Sequence, residues 1–327
     1  MIDELSALNT IEERFNKASR DVKLGIGDDA AAVKFDKDML VLTTTDAQVE
    51  DVHFIKSLIN PSELARKAVA VSVSDIAAMG GIPKFILASV GFSPDENEQY
   101  LDQLISGFKN AEDEFGVRLI GGNLSSSEKL FLDITVLGQV EPESMVRRSG
   151  ARPGDLIYVS GNLGDSALGL KVLSDDQAPK QTQKLIDRHL HPNPRLSLGR
   201  ELVENVIPAS MIDVSDGLLL DLERITLIQE LGARIDIEKI PRSQEYIENV
   251  DKYCDDKYEM ALSGGEDYEL LFTCDESRRM DIQNISENLN IQITEIGTVT
   301  ESTSIDLISS SGEYKTLNKR GFVHFNS

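Results

Sequence analysis

Apolar residues in this chain recur in two rhythms, short runs suited to strands and longer segments with one apolar face suited to helices. Ile2, Leu5, Leu8, Ile11 and Phe15 predict an opening helix over residues 1–20. Met39–Thr45 (MLVLTTT) predicts a strand that delivers Asp46 at its C-terminal end. Pro61 is placed to open a helix over Ser62–Met79, which stops at Gly80-Gly81. Lys84–Phe92 reads as a strand, Asp95–Phe115 as a long amphipathic helix, Val117–Ile120 as a strand running into GGNLSSS, and Phe131–Val140 as another strand. The turn formers of RRSGARPGD then precede the strand Leu156–Ser160 and mark a domain boundary near residue 150. Beyond it, GNLGDSALGL predicts a Gly-rich turn into a helix, with helical character to about Glu204. Met211–Val214, Ala233–Ile237 and Glu269–Cys274 read as strands. Helices and strands alternate without a repeat, so the expected class is mixed α and β.

Length and composition refine this. A chain of 327 residues is too long for one ordinary core, so two domains are expected, 1–150 and 151–327. No apolar run approaches bilayer length, and the start MIDELSALNTIEERF is acidic, unlike a signal peptide; the expected location is the cytoplasm. The net charge of −23 argues against nucleic acid and anionic membranes as partners. Cys254 and Cys274 stand without a C-x-x-C pattern or a His cluster, so neither a zinc site nor a disulfide framework is expected.

The candidate chemistry lies in acidic residues beside Gly, Ser or Thr at strand ends: Asp28, Asp29, Asp46, Asp75, Asp213 and Asp216. In LGIGDDAAAV, Gly25 and Gly27 imitate a dinucleotide-binding turn, but Asp28 and Asp29 would repel a bare pyrophosphate. A metal–phosphate site suits this loop better, with an acidic surface turn as the alternative. Dispersed aspartates with little His or Cys favour hard cations held by oxygen, such as magnesium. No Walker loop, EF-hand loop or G-x-S-x-G elbow is present. Taken one at a time, each residue also has a plainer role. Asp75 could be solvated on its helix, Asp213 and Ser215 could cap the helix near Gly217, and His53 could be a half-buried, hydrogen-bonded histidine.

The segments GIGDDAAAV, TTDAQVEDVHF, VSVSDIAAMGGIP, LIGGN, RRSGARPGD, GNLGDSALGL, HPNPR, IDVSDGLLLDL, LSGGEDYELLFT and RGFVHF follow one another from residue 24 to 325. In this order they resemble the thiamine-monophosphate kinases, of the superfamily that includes aminoimidazole-ribonucleotide synthetase and selenophosphate synthetase. The resemblance implies an N-terminal α/β domain that lends strands to a homodimer interface and a C-terminal α+β domain closing over nucleotide and substrate. It implies transfer of the ATP γ-phosphoryl group to thiamine monophosphate, assisted by several magnesium ions and without a general base. Carried over by motif, Asp28, Asp29, Thr44, Thr45, Asp46, Asp75, Asn123, Asp213 and Asp216 would hold magnesium. Thr45, Gly122, Asn123, Arg148 and Ser215 would contact ATP, while His53, Glu266 and Phe322 would line the thiamine site. Two positions depart from the pattern: Asp51 replaces the usual Gly of VEGVHF, and Asn123-Leu124 replaces Asp-Thr of GGDT. The rival readings are a relative of the same fold acting on another substrate, and a nucleotide- or thiamine-binding regulator without turnover.

Overall fold

The structure, a computed structural model, describes residues 22–24, 28–34, 38–93, 96–179, 181–205, 207–309, 314–315 and 321. The expected helix over 1–20 and Phe322 lie outside these residues.

The first sheet has six strands, β1 (Val22–Leu24), β2 (Ala31–Lys34), β3 (Leu40–Val49), β4 (Ile82–Phe92), β5 (Arg118–Ser126) and β6 (Phe131–Val140), in the order β1-β2-β3-β6-β4-β5. All neighbours are antiparallel except β4 and β5. Helix α1 (Pro61–Ala78) packs on β3 and β6, and α2 (Glu98–Phe115) packs on α1. Pro61 opens α1 as expected, behind a capping box between Asn60 and Glu63. Helix α2 starts behind Asn97, which caps it, and stops at Gly116 in the left-handed region. Among the described residues only one face of this sheet is covered. Ile86, Ala88, Val90, Ile134 and Val136 are buried under α1, whereas Phe85 and Leu87 on the opposite face of β4 are exposed.

The second sheet has seven strands, β7 (Leu156–Ser160), β8 (Ser210–Asp213), β9 (Gly232–Asp236), β10 (Leu270–Cys274), β11 (Ile293–Thr300), β12 (Ile305–Ile308) and β13 (Tyr314–Lys315), in the order β13-β12-β9-β11-β7-β10-β8. Helices α3 (Asp165–Leu173), α4 (Gln183–Leu190), α5 (Leu196–Glu204), α6 (Leu218–Leu227), α7 (Gln244–Asn249), α8 (Glu259–Ser263) and α9 (Arg279–Leu289) accompany it. Both of its faces are buried. Ile157, Val159, Ile212 and Leu271 pack with α6, while Leu156, Tyr158, Met211 and Phe272 pack with α5 and α9. That is why LIYVS and LLFTC are continuous apolar runs rather than alternating ones.

Most expected elements appear within a few residues of their predicted bounds, and Leu156–Ser160 and Phe131–Val140 match them. GGNLSS, however, is not a loop after a short strand but part of β5 itself. Gly122 allows this: at φ 156° an added Cβ would lie 1.9 Å from the Ala88 carbonyl oxygen. Among the described residues no helix is long and apolar enough to cross a membrane.

Candidate active site

Three segments far apart in sequence bring their carboxylates together. Asp29 follows β1, Asp75 lies near the end of α1, and Asp213 ends β8; one oxygen from each lies within 4.8 Å of the others. Strand alternation turns Thr44 and Asp46 to the face under α1, where the Thr44 hydroxyl donates to Asp75 at 2.5 Å. Ser74 donates to Asp213 at 2.7 Å. Asp46 Oδ2 is buried with no hydrogen-bond partner among the described residues.

This crowding shows in the protonation. Burial first, then the charges of Asp46, Asp213 and Asp29, hold Asp75 well above the usual carboxylate range. Asp213 is raised in the same direction by burial and by Asp29. Asp46 is pushed up to about 6 by burial and by the charges of Asp133, Asp216 and Asp29, and Asp28 to about 6 by burial and Asp29. Among the described residues the one cation bonded to this group is Arg148, whose Nη2 and Nε reach Asp29 at 2.9 and 3.2 Å, while its backbone N–H meets Asp28. Oxygen-only donors with a deficit of positive charge and an unpartnered buried oxygen fit hard divalent cations.

The remaining residues divide. Asp216 reaches Arg224 at 2.6 Å. Its loop is shaped by Asp221, whose Oδ2 accepts the N–H groups of Ser215, Asp216 and Gly217, each at 3.1 Å. Among the described residues no side chain caps α6 at Gly217, neither Asp213 nor Ser215; Asp221, from inside the helix, instead ties down the loop that precedes it. Burial pushes Asp221 up to about 7, against the pull of Arg224. His53 is half-buried, as one expectation had it. It accepts the Val49 N–H on Nδ1 at 3.0 Å, so the neutral ring carries its proton on Nε2. The turn before it survives the replacement of glycine, since Asp51 adopts φ 63° and pairs with Lys129. Glu50 pins the same turn by accepting the Leu130 N–H at 3.0 Å.

Glu266 sits at φ 67° and Tyr268 at φ 49°, conformations that cost roughly 1–3 kcal/mol each for non-glycine residues. They are held by N–H bonds from Glu266 to the Ser215 carbonyl and from Tyr268 to that of Val214, so this loop rides on the Asp213–Asp216 segment. Gly321 packs so closely there that a Cβ would lie 2.8 Å from the Asp216 carbonyl oxygen. It is the described neighbour of Phe322.

Thr45 and Asn123 are not part of the carboxylate group within this chain. The Thr45 hydroxyl stands on the open face and donates to Asp133 at 2.7 Å. Asn123 is exposed on β5 beside Ser89, on the row that runs through Asp133 to Ala47. Three strand spacings, about 14 Å, separate it from β3.

Sequence reasoning missed Lys67, His189, Asp221 and Arg224. Lys67 and His189 both meet Glu266 Oε2 at 3.3 Å, from 199 and 77 residues away in the chain. Only Asp221 carried a local signal, an acid placed four residues after Gly217.

This two-part architecture is that of an AIR synthase related protein. The N-terminal domain of that description matches residues 27–140, and the C-terminal domain matches 152–309. Hydrogenase maturation protein HypE of Escherichia coli, at 17% identity with a TM-score of 0.72 and 88% of this chain and 87% of that one covered, shares the fold. The thiamine-monophosphate kinase of Escherichia coli strain K12 is 36% identical over 325 residues, 98% of each chain. That of Bacillus subtilis is 34% identical over 330 residues, covering 99% of this chain and all of its own. A solved complex of AaThiL with AMPPCP and TMP superposes with a TM-score of 0.86 at 34% identity, covering 98% of this chain and 97% of that one. The chain belongs to the thiamine-monophosphate kinase family.

Proposed function

We infer that this chain is a phosphotransferase that moves the γ-phosphoryl group of ATP onto thiamine monophosphate, giving thiamine diphosphate and ADP. The observation that carries the reading is the convergence of Asp29, Asp75 and Asp213 beside Arg148, in a chain of this family. The acceptor is a phosphate oxygen that is already ionised near neutral pH, so no residue is needed to deprotonate it. The difficulty is bringing two anions together in line. Bound magnesium, held by Asp28, Asp29, Thr44, Asp46, Asp75, Asp213 and Asp216, supplies the charge neutralisation that such a transfer requires.

The protein's own groups supply the orientation. Asp29 grips two nitrogens of Arg148, and Nη1 is the nitrogen left to meet an ATP phosphate. Ser215 contacts ATP from a loop that Asp221 fixes. His53 and Glu266 contact the thiamine moiety, and Phe322 is the third residue assigned to it by its motif.

The domains are taken as 1–150 and 151–327, working in the cytoplasm. Two chains associate through β4 and β5, where Phe85 and Leu87 are exposed on the open face and Leu119, Ile120 and Leu124 are exposed along the edge strand. Such an apolar face beside an edge strand is a liability unless another chain covers it. In this dimer, Gly122 and Asn123 serve a nucleotide site from the partner chain, since within one chain Asn123 is about 14 Å from β3. Thr45, whose hydroxyl is on the same open face, is the residue to receive them.

The test is direct: incubate the purified protein with ATP, magnesium and thiamine monophosphate, and measure thiamine diphosphate and ADP in equal amounts. ADP formed without thiamine diphosphate would point to another acceptor, and tight binding of both substrates without turnover would point to a regulator.

A further inference from the structure

Lys67 is a fully buried ammonium on α1. The hydrophobic run around it, AVAVSV, packs the helix from nearly every side, so no water-filled surface is available to the charge. Its ion-pair partner is Glu266 Oε2 at 3.3 Å. The same oxygen is 3.3 Å from His189 Nδ1, which in turn lies 3.1 Å from the Ser166 hydroxyl. Burial and the Lys67 charge hold His189 down at about 4, so the ring is neutral at physiological pH. Lys67 is therefore the cation that balances Glu266 here. Of the two, the Glu266 side chain is the one with surface to offer, at 27% exposed against 1% for Lys67. Its Oε2 is committed inward to lysine, with the neutral His189 ring 3.3 Å away, and Oε1 has no partner among the described residues.

Resting on the thiamine-phosphate reading of Glu266, we propose that Lys67 is a positioning residue for substrate. It cancels the charge of Glu266 and ties down one of its oxygens, so that Oε1 alone is presented as a hydrogen-bond acceptor to an amino-bearing heterocycle. A bare carboxylate would attract any cation. A neutral ion pair selects a donor at one place, and its geometry is fixed from a helix of the first sheet while the carboxylate belongs to the second.

The experiment compares Lys67→Met, Lys67→Arg, Glu266→Gln and the Lys67→Met/Glu266→Gln pair by steady-state kinetics, with thermal midpoints as the folding control. Lys67→Met is expected to raise KM for thiamine monophosphate about tenfold or more, with KM for ATP and kcat within about twofold. Lys67→Arg keeps the charge and recovers most of the loss. In the Glu266→Gln background, Lys67→Met adds less than about twofold, because its effect runs through that carboxylate. Should Lys67→Met not fold, Lys67→Gln in the Glu266→Gln background makes the same comparison with an uncharged pair. The proposal is overturned if KM for thiamine monophosphate does not move in Lys67→Met. It is equally overturned if both substrates weaken together, or if the full loss persists without Glu266. A wild-type protein that forms no thiamine diphosphate would instead sink the functional reading beneath it.

Discussion

Asp213 and Glu269 lie almost side by side in the second sheet, since Asp213 pairs with Leu270, the residue after Glu269. Both are buried, at 2% and 0% exposed. Glu269 is gripped by Arg195 through two bonds of 2.6 Å, by Arg188, and by the Ser160 hydroxyl at 2.5 Å. Although burial would raise it, these partners hold its carboxyl below the usual range. Asp213 receives one hydroxyl, faces Asp29 and Asp75, and is held well above that range. Burial is common to both and settles nothing about function. What separates them is counter-charge: Glu269 carries its own cations and is complete, whereas the Asp213 group has only Arg148 against its carboxylates among the described residues.

The contrast can be broken most sharply at Glu269. Glu269→Gln leaves two buried guanidiniums facing a neutral amide and should cost about 3–5 kcal/mol of stability. Asp213→Asn removes a repelling charge, so the metal-free variant should be as stable as the parent or more so. Urea unfolding of both variants decides the matter, and a reversed order would mean the two sites have been read the wrong way round.

Next in size is catalysis. Asp213→Asn and Asp46→Asn should each lower kcat by about 10²–10³, roughly 2.7–4 kcal/mol of transition-state stabilisation, while the fold persists. Near-native turnover of both variants at low magnesium would remove these residues from the ligand set.

A smaller effect follows from pH. Asp28 and Asp46 have folded-state values raised from 3.8 to about 6, so the folded protein holds more protons than the unfolded chain between these values. Stability of the metal-free protein should therefore fall as pH rises through that window. Magnesium at about a hundred times its dissociation constant should return roughly 2.7 kcal/mol, and do so better at pH 8 than at pH 5.5, where protons compete. Calorimetric midpoints with and without magnesium at the two pH values measure this; a metal shift independent of pH would contradict it.

The smallest expected change concerns the residue that the open face displays. Asn123→Asp should lower the magnesium concentration for half-maximal rate by up to about tenfold, near 1.4 kcal/mol, without raising the maximal rate. A titration at saturating ATP and thiamine monophosphate that shows no change would mean position 123 faces no metal.

The acidic loops were legible because chemistry and local structure coincide there: a carboxylate at the end of an apolar strand, beside glycine or serine, is visible within ten residues. α1 and its Pro61 start were legible for a similar reason, since cap and apolar run adjoin. Lys67 was not. Inside ARKAVAVSV a lone lysine reads as a solvated helix position, and its partner Glu266 is 199 residues away. The Glu269 cage has the same character, since Arg188 and Arg195 are 81 and 74 residues from the charge they hold. Strand β11 escaped notice for a different reason. ITEIGTVT mixes polar and half-buried positions and bulges between Glu295 and Gly297, which blurs the alternation that would announce it.

Helix α1 carries Lys67 on its second turn and Asp75 near its C-terminal end. At 1.5 Å of rise per residue these points are about 12 Å apart along a stiff rod. The rod is a gauge. A molecule whose phosphate lies among the aspartates while its far end touches Glu266 must match that length, and a short phosphate ester can reach one end but not both. In the proposed function, chain length is thus measured by backbone geometry, before any side chain inspects the ligand. Deleting a single residue between positions 67 and 75 would shorten the gauge by only about 1.5 Å, yet turn its two ends about 100° out of phase.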